Sequence, residues 1–343
     1  MNKRRVCLGL QGGGSHGAFT WGVLDALLAE DRFEIAALSG SSAGAMNAVL
    51  LAHGWTTGKA AGARESLRGF WERVASSAPF GAMAAAAAAW GMPLASGAET
   101  PDLQALRGFM HLAHYFSPYE FNPFDINPLR DIVAECIDFE RLRSACPIDL
   151  FIGATEVRSG RLRIFTTAEM RLEVLLASAC LPTIHHSVEI EGKAYWDGGL
   201  TANPPVFPLL HTSDADDLVL VLLQGADNAK TLVKADDIAH RLSEISFGSS
   251  LWAELRALAL IQQEARRSFW GLGRLDRRMG RVRLHSIEAP DVLGQFDNLS
   301  RASTHPTLIT ALFEAGVKAG RQWLSGQGRS VGSRSTFDTA GLL

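Results

Sequence analysis

Within its first 53 residues the chain passes twice from a short apolar strand, through a turn of small residues, into an apolar helix. Arg5 to Leu10 (RVCLGL) is β-like and ends in Gln11-Gly12-Gly13-Gly14. From His16 to Ala29 the apolar residues Ala18, Phe19, Val23, Leu24, Leu27 and Leu28 recur at helical spacing. Phe33 to Leu38 (FEIAAL) reads as a second strand that breaks at Ser39-Gly40, and Ala43 to His53 as a second helix. Strand, turn, helix, repeated, is the opening of a parallel α/β sheet.

Downstream, strands are predicted at Ile148 to Ala154, at Leu162 to Thr166, in a segment leading into Asp197, and at Arg281 to Ile287. Leu218 to Leu223 (LVLVLL) is a continuous apolar run of the kind found in a strand covered on both faces. Leu172 to Ala179 suits a helix, stopped by Pro182. Two helical insertions are expected, at about 56–146 and 227–280, within one domain spanning 1–325. The tail, 326–343, is Gly/Ser-rich with few apolar residues until Leu342, and is expected to be disordered.

The 343 residues allow two domains or one large α/β domain. With 47% hydrophobic and 20% charged residues, a sizeable core can form and wholesale disorder is excluded. Lys and Arg total 33 against 36 Asp and Glu, so the basic excess of a dedicated nucleic-acid binder is absent. The four cysteines, Cys7, Cys136, Cys146 and Cys180, form no C-x-x-C pair, which fits a reducing compartment better than a zinc site or disulfide framework. Lys3, Arg4 and Arg5 are followed by too short an apolar run for a signal peptide. Phe80 to Leu94 is broken by Gly81 and Gly91 and is shorter than the ~20 apolar residues that span a bilayer. The expectation is a cytoplasmic protein, with peripheral contact to a membrane surface left open.

Gly12-Gly13-Gly14-Ser15-His16-Gly17 satisfies G-x-G-x-x-G between a strand and a helix, which by itself is the dinucleotide-binding fingerprint. A Rossmann oxidoreductase also needs an acid at the end of the second strand to hold the ribose. That strand ends Leu38-Ser39-Gly40-Ser41-Ser42, while Asp31 and Glu34 lie before it or at its start, so the dinucleotide reading fails. The remaining chemistry is that of a nest: backbone N–H groups converge on phosphate, carboxylate or a transient oxyanion, aided by a helix N-terminus.

Gly40-Ser41-Ser42-Ala43-Gly44 is G-x-S-x-G. The string alone is weak evidence, but it sits between a strand and a helix, where a sharp turn projects the central serine at the carboxyl end of a sheet. Ser42 is therefore the candidate nucleophile. Such a serine needs a base. His211, His240, His285 and His305 have no distinctive local context. The alternative is Asp197, in Tyr195-Trp196-Asp197-Gly198-Gly199, although Asp-Gly-Gly taken alone equally describes a turn.

Taken together, G-G-G-x-x-G, G-x-S-x-G about 25 residues later and a distant Asp-Gly-Gly resemble the motif order of patatin-like phospholipases. Ala202-Asn203-Pro204-Pro205 and the stretch Ser117 to Arg130 add to that resemblance. It implies a three-layer α/β fold, with a central, mostly parallel sheet flanked by helices plus helical insertions. It also implies a serine–aspartate dyad, with Ser42 as nucleophile and Asp197 as general base, and an oxyanion hole of N–H groups around Gly12, Gly13 and Gly14. Gly17, Gly40, Gly44, Gly198 and Gly199 complete the motifs. Where many members carry Arg or Lys, this chain has His16. The implied activity is hydrolysis of phospholipid, lysophospholipid or another acyl ester; a catalytically silent lipid-binding relative is the alternative.

For this dyad to work, a carboxylate of ordinary pKa ~4 must become a better base, and burial beneath Tyr195 and Trp196 would raise it. No metal cluster is evident, and activity is expected to need neither metal nor cofactor. Phe80 to Leu94 and Phe109 to Phe124 either form an apolar lid or pack on the core. Arg266, Arg267, Arg274, Arg277, Arg278, Arg281 and Arg283 form a basic cluster that either faces solvent or meets anionic lipid.

Overall fold

The computed structural model describes residues 3–77, 116–224, 233, 235–267, 273–296 and 298–342. Strand β1 (Arg4–Leu10) sets the architecture by alternation: Val6, Leu8 and Leu10 enter one core and Cys7 another. Its neighbours are β2 (Phe33–Gly40) and, on the other side, β7 (Asp217–Val221), both parallel to it. Outside these lie β3 (Asp149–Glu156), parallel to β2, and β8 (Arg283–Ile287), parallel to β7. Because both faces of this parallel centre are covered, Asp217–Val221 is buried throughout, as its apolar run predicts.

The rest of the sheet is antiparallel. Strand β4 (Arg161–Thr166) returns along β3 because the turn between them is too short for a crossover. Strands β5 (Val188–Ile190) and β6 (Lys193–Asp197) form a hairpin through Glu191-Gly192, both at positive φ (53° and 74°), as a two-residue primed turn requires. The expected α/β sheet is therefore present as a mixed sheet, parallel at its centre.

The helices on the first face include α1 (Gly17–Glu30), α2 (Ala43–Ser76), α3 (Leu172–Ser178) and α5 (Pro306–Ser325). The second face is covered by α4 (Ala235–Arg267), which contributes Leu251, Leu255 and Leu258. The described parts of both expected insertions thus pack on the core. Helix α2 does not stop near His53; it breaks at Gly58-Lys59 and continues, burying Ala63, Leu67, Phe70 and Trp71 at helical spacing. The second insertion supplies the third layer itself.

The tail also differs from expectation. Its scarcity of apolar residues suggested disorder, yet it is bound by polar groups to the open edge of β8. Thr336 and Phe337 donate their N–H groups to the Leu284 carbonyl (2.9 and 3.0 Å), and Leu284 N–H donates to Ser335 Oγ (3.1 Å). An edge strand leaves backbone groups unpaired, and here the tail satisfies them. Asp217 anchors the arrangement by accepting hydrogen bonds from Gly332 N–H (2.8 Å), Arg283 Nε (2.9 Å) and His285 Nε2 (3.1 Å).

Burial opposes ionisation of Asp217, but the hydrogen bonds from His285, Arg283 and Gly332 outweigh it and hold the carboxyl well below its usual range. Its stabilisation is therefore complete above the unfolded pKa of ~4 and is lost on further acidification. Asp217→Ala is expected to lower the unfolding free energy by about 3 kcal/mol in urea titrations at pH 7. An unchanged midpoint would show that the tail anchor contributes nothing.

Candidate active site

The site forms where two strands meet end to end on β3. Strand β4 takes one edge of β3 along Phe151–Glu156. The opposite edge is divided, with β2 pairing along Asp149–Ile152 and β6 along Ala154–Glu156. Gly40, the last residue of β2, lies opposite Ile152, and Asp197, the last residue of β6, lies opposite Ala154. Two residues of strand span roughly 7 Å, so the elbow after Gly40 and the carboxylate of Asp197 are brought together. At Gly153, the residue left between them, the carbonyl accepts a hydrogen bond from Ser178 Oγ (2.6 Å).

Ser42 occupies the turn from β2 into α2 at φ 55° and ψ −128°. A non-glycine residue held there carries strain of about 1–3 kcal/mol. The neighbours enforce it: Ser42 N–H donates to Ser178 O (3.0 Å) and Ser178 Oγ (3.1 Å), and Ser41 Oγ donates to Ala202 O (2.7 Å). The flanking glycines are required by close approach. A Cβ on Gly40 would stand 2.5 Å from the Gly44 carbonyl carbon, and one on Gly44 would stand 2.0 Å from the Leu10 oxygen. Half-buried Ser42 is thus presented at the N-terminus of α2, where the helix dipole favours negative charge.

Asp197 is completely buried. Its N–H donates to Cys180 O (2.7 Å), its carbonyl accepts from Thr155 Oγ1 (2.8 Å), and Oδ1 accepts from Gly199 N–H (2.6 Å). Among the described residues Oδ2 has no hydrogen-bond partner. Burial pushes the carboxyl up to about 7, opposed by the Gly199 N–H and the Ser42 hydroxyl. Ser42 is therefore close enough to act on Asp197, while no bond between the two side chains meets ordinary hydrogen-bond geometry, a looseness common at unliganded catalytic pairs. Tyr195 is buried two residues before Asp197 on the same face of β6, whereas strand alternation sends Trp196 to the other face. The predicted shelter thus comes from the core around Tyr195 rather than from Trp196.

The glycine loop departs from expectation at its first residue. Gly12 N–H donates to Asn203 Oδ1 (2.6 Å), so it is already committed. Gly12 itself lies against the elbow, where an added Cβ would meet Ser41 O at 2.4 Å and Ser42 Cβ at 2.9 Å. Gly14, at φ 59°, packs against the Arg301 carbonyl. His16 is buried, with Nε2 2.7 Å from Ser300 Oγ and its ring edge-on to Phe296. Arg301 meets this loop through its backbone, while its guanidinium pairs with Glu244 at 3.2 Å.

The remaining motif glycines are packing positions. Gly17 begins α1 against Ala43 and Trp71, Gly198 lies on the Gly153 carbonyl, and Gly199 packs against Phe247 of α4. Among the described residues no histidine bonds to Ser42 or Asp197. His285 lies with Asp217 near the tail, His305 caps α5, and His211 stacks on Phe207. Part of the basic cluster is structural: Arg278 binds the Leu210, Ser213 and Ala215 carbonyls and Asp216, and Arg283 pairs with Asp217. Phe80 to Leu94 lies outside the described residues. Of Phe109 to Phe124, the described end leaves Phe116, Tyr119 and Phe124 exposed.

Sequence reasoning overlooked Ser178 and Thr155, which hold the two candidate catalytic residues, and gave Asn203 no part in the site. A serine near a helix end and a threonine in a strand carry no local signal. Asn203 was visible in Ala202-Asn203-Pro204-Pro205, but nothing local shows that it reaches Gly12.

Two stability effects follow. Ser42→Gly should unfold at higher denaturant than Ser42→Ala, by about 1 kcal/mol or more, because only glycine relaxes at this φ and ψ; equal midpoints would show an unstrained elbow. Asp197 binds its proton more tightly when folded, so it lowers stability as pH rises from ~4 to about 7, with no further loss above. Asp197→Asn should remove that decline and gain on the order of 2–4 kcal/mol at pH 8; parallel wild-type and variant stability curves between pH 4 and 8 would contradict the raised pKa.

A model of the family described as patatin-like phospholipase matches residues 8–210. Among solved structures, VipD from Legionella pneumophila is 14% identical over 94% of this chain and 67% of that one, with a TM-score of 0.45. The heterodimeric ExoU–SpcU complex from the type III secretion system of Pseudomonas aeruginosa is 15% identical over 96% and 77%, with a TM-score of 0.30. No curated protein matches the chain. The family match spans more than half of the sequence and takes in the glycine loop, the serine elbow and Asp197-Gly198-Gly199; the chain belongs to the patatin-like phospholipase family.

Proposed function

We propose that this protein hydrolyses the carboxylic esters of phospholipids or lysophospholipids through Ser42 and Asp197. The observation that carries the reading is the fully buried Asp197 carboxyl, raised to about 7 with one oxygen unbonded beside a strained serine elbow. A carboxylate of that pKa is matched to taking and returning a proton near neutrality.

In the cycle, Ser42 Oγ attacks the ester carbonyl carbon and its proton passes to Asp197 Oδ2. The developing oxyanion is held by the N–H groups of Gly13 and Gly14, since that of Gly12 is taken by Asn203. The tetrahedral intermediate collapses, the C–O bond to the glycerol breaks, and Asp197 returns its proton to the leaving oxygen. Water, deprotonated by Asp197, then attacks acyl-Ser42; collapse releases the fatty acid and restores both side chains. The exposed Phe116, Tyr119, Phe124 and Ile126 are the residues we assign to contact with a lipid surface.

The test is fatty-acid release from phosphatidylcholine and lysophosphatidylcholine in mixed micelles. For wild type, kcat/KM should rise with pH and level off above about 7, following ionisation of Asp197 in the free enzyme. Ser42→Ala and Asp197→Asn should each lose at least ~10³-fold in kcat. Folded wild-type protein that binds lipid without releasing fatty acid would favour the silent lipid-binding alternative.

A further inference from the structure

Beyond Leu10 the glycine loop leaves the sheet. Strand β2 has turned away into the elbow, so Gly12 has no strand to pair with on that side. A side chain takes the place of that strand. Asn203 is 1% exposed, and its amide makes both halves of a strand-like pairing with one residue: Gly12 N–H donates to Oδ1 (2.6 Å), and Nδ2 donates to the Gly12 carbonyl (3.3 Å). On the other side, Gln11 N–H donates to Val221 O (3.1 Å), and Gln11 Oε1 accepts from Leu223 N–H (2.7 Å) and Gln224 N–H (3.1 Å). Gln11 and Gly12 are thereby held from opposite sides, and Asn203 fixes the carbonyl of the peptide before Gly13.

Asn203 is also rigidly connected to the two candidate catalytic residues. The carbonyl of Ala202, its neighbour, receives the hydroxyl of Ser41, the residue before the nucleophile (2.7 Å). Thr201 Oγ1 lies 2.9 Å from Thr155 Oγ1, which also holds the Asp197 carbonyl. One short segment, Thr201 to Asn203, thus touches the elbow and the glycine loop and reaches the base through Thr155.

We propose that Asn203 is a positioning residue: by fixing the Gly12 peptide it aims the N–H groups of Gly13 and Gly14 at the carbonyl oxygen of the ester under attack by Ser42. The role demands a donor and an acceptor on one short side chain. Aspartate keeps the shape, but its carboxylate only accepts and repels the Gly12 oxygen. Alanine supplies neither group. The proposal rests on the serine hydrolase reading.

The experiment compares wild type with Asn203→Ala and the near-isosteric Asn203→Asp, which guards against a folding failure in the alanine variant. Three quantities are read: kcat and KM for lysophosphatidylcholine, affinity for a long-chain trifluoromethyl ketone that forms a tetrahedral oxyanion on serine, and affinity for a non-hydrolysable ether analogue of the lipid. Both variants should lose about 100-fold or more in kcat and a comparable factor in ketone affinity. KM, ether-lipid affinity and the pH inflection near 7 set by Asp197 should stay near wild type. A variant that keeps wild-type kcat and ketone affinity, or loses ketone and ether-lipid binding equally, would overturn the assignment while leaving the hydrolase reading intact. Wild-type protein that neither hydrolyses ester nor binds the ketone would overturn the hydrolase reading, and this proposal with it.

Discussion

Two strands compete for one edge of β3 and neither occupies all of it. Strand β2 arrives parallel and stops at Gly40, while β6 arrives antiparallel and stops at Asp197. Because strand register is set by backbone hydrogen bonds and by which face is buried, a slip of one residue in either partner would turn its side chains to the wrong face. The closeness of Ser42 and Asp197 therefore depends on how two strands share β3, with no direct bond between the two side chains. Ser178 fills the gap at Gly153 and holds the Ser42 backbone, so one serine secures both the gap and the elbow.

This arrangement concentrates unfavourable free energy at one point. Ser42 is strained at positive φ, and Asp197 is buried with an unpaired oxygen. Each alone is worth on the order of a kcal/mol or more. They persist because the surroundings are over-determined: the glycines at 40 and 44 admit no Cβ, Thr155 and Cys180 hold both ends of Asp197, and two cores cover the sheet. Departures of this kind from local preference, held in place by their surroundings, are what a functional site is expected to show.

The early strands and helices were legible because each obeys one local rule, strand alternation or helical spacing, over six or more residues. Ser42 and Asp197 were legible as motif residues, and the family match covers both. What the sequence hid is non-local. The antiparallel half of the sheet follows from short turns such as Glu191-Gly192, which composition alone does not distinguish from loops. The tail looked disordered because order there comes from hydrogen bonds to Leu284 and Asp217 together with a few widely spaced apolar anchors, Val331, Phe337 and Leu342. Commitment of the Gly12 N–H depends on a residue 191 positions away, and no local pattern reveals it.

The central claim is that Ser42 and Asp197 act as one unit. Its most direct test is the rate of covalent labelling by a fluorophosphonate at pH 8, with the modified residue located by peptide mass spectrometry. The account predicts label on Ser42 alone, none in Ser42→Ala, and labelling slowed at least ~100-fold in folded Asp197→Asn. Label on another residue, or equal rates in wild type and Asp197→Asn, would contradict it.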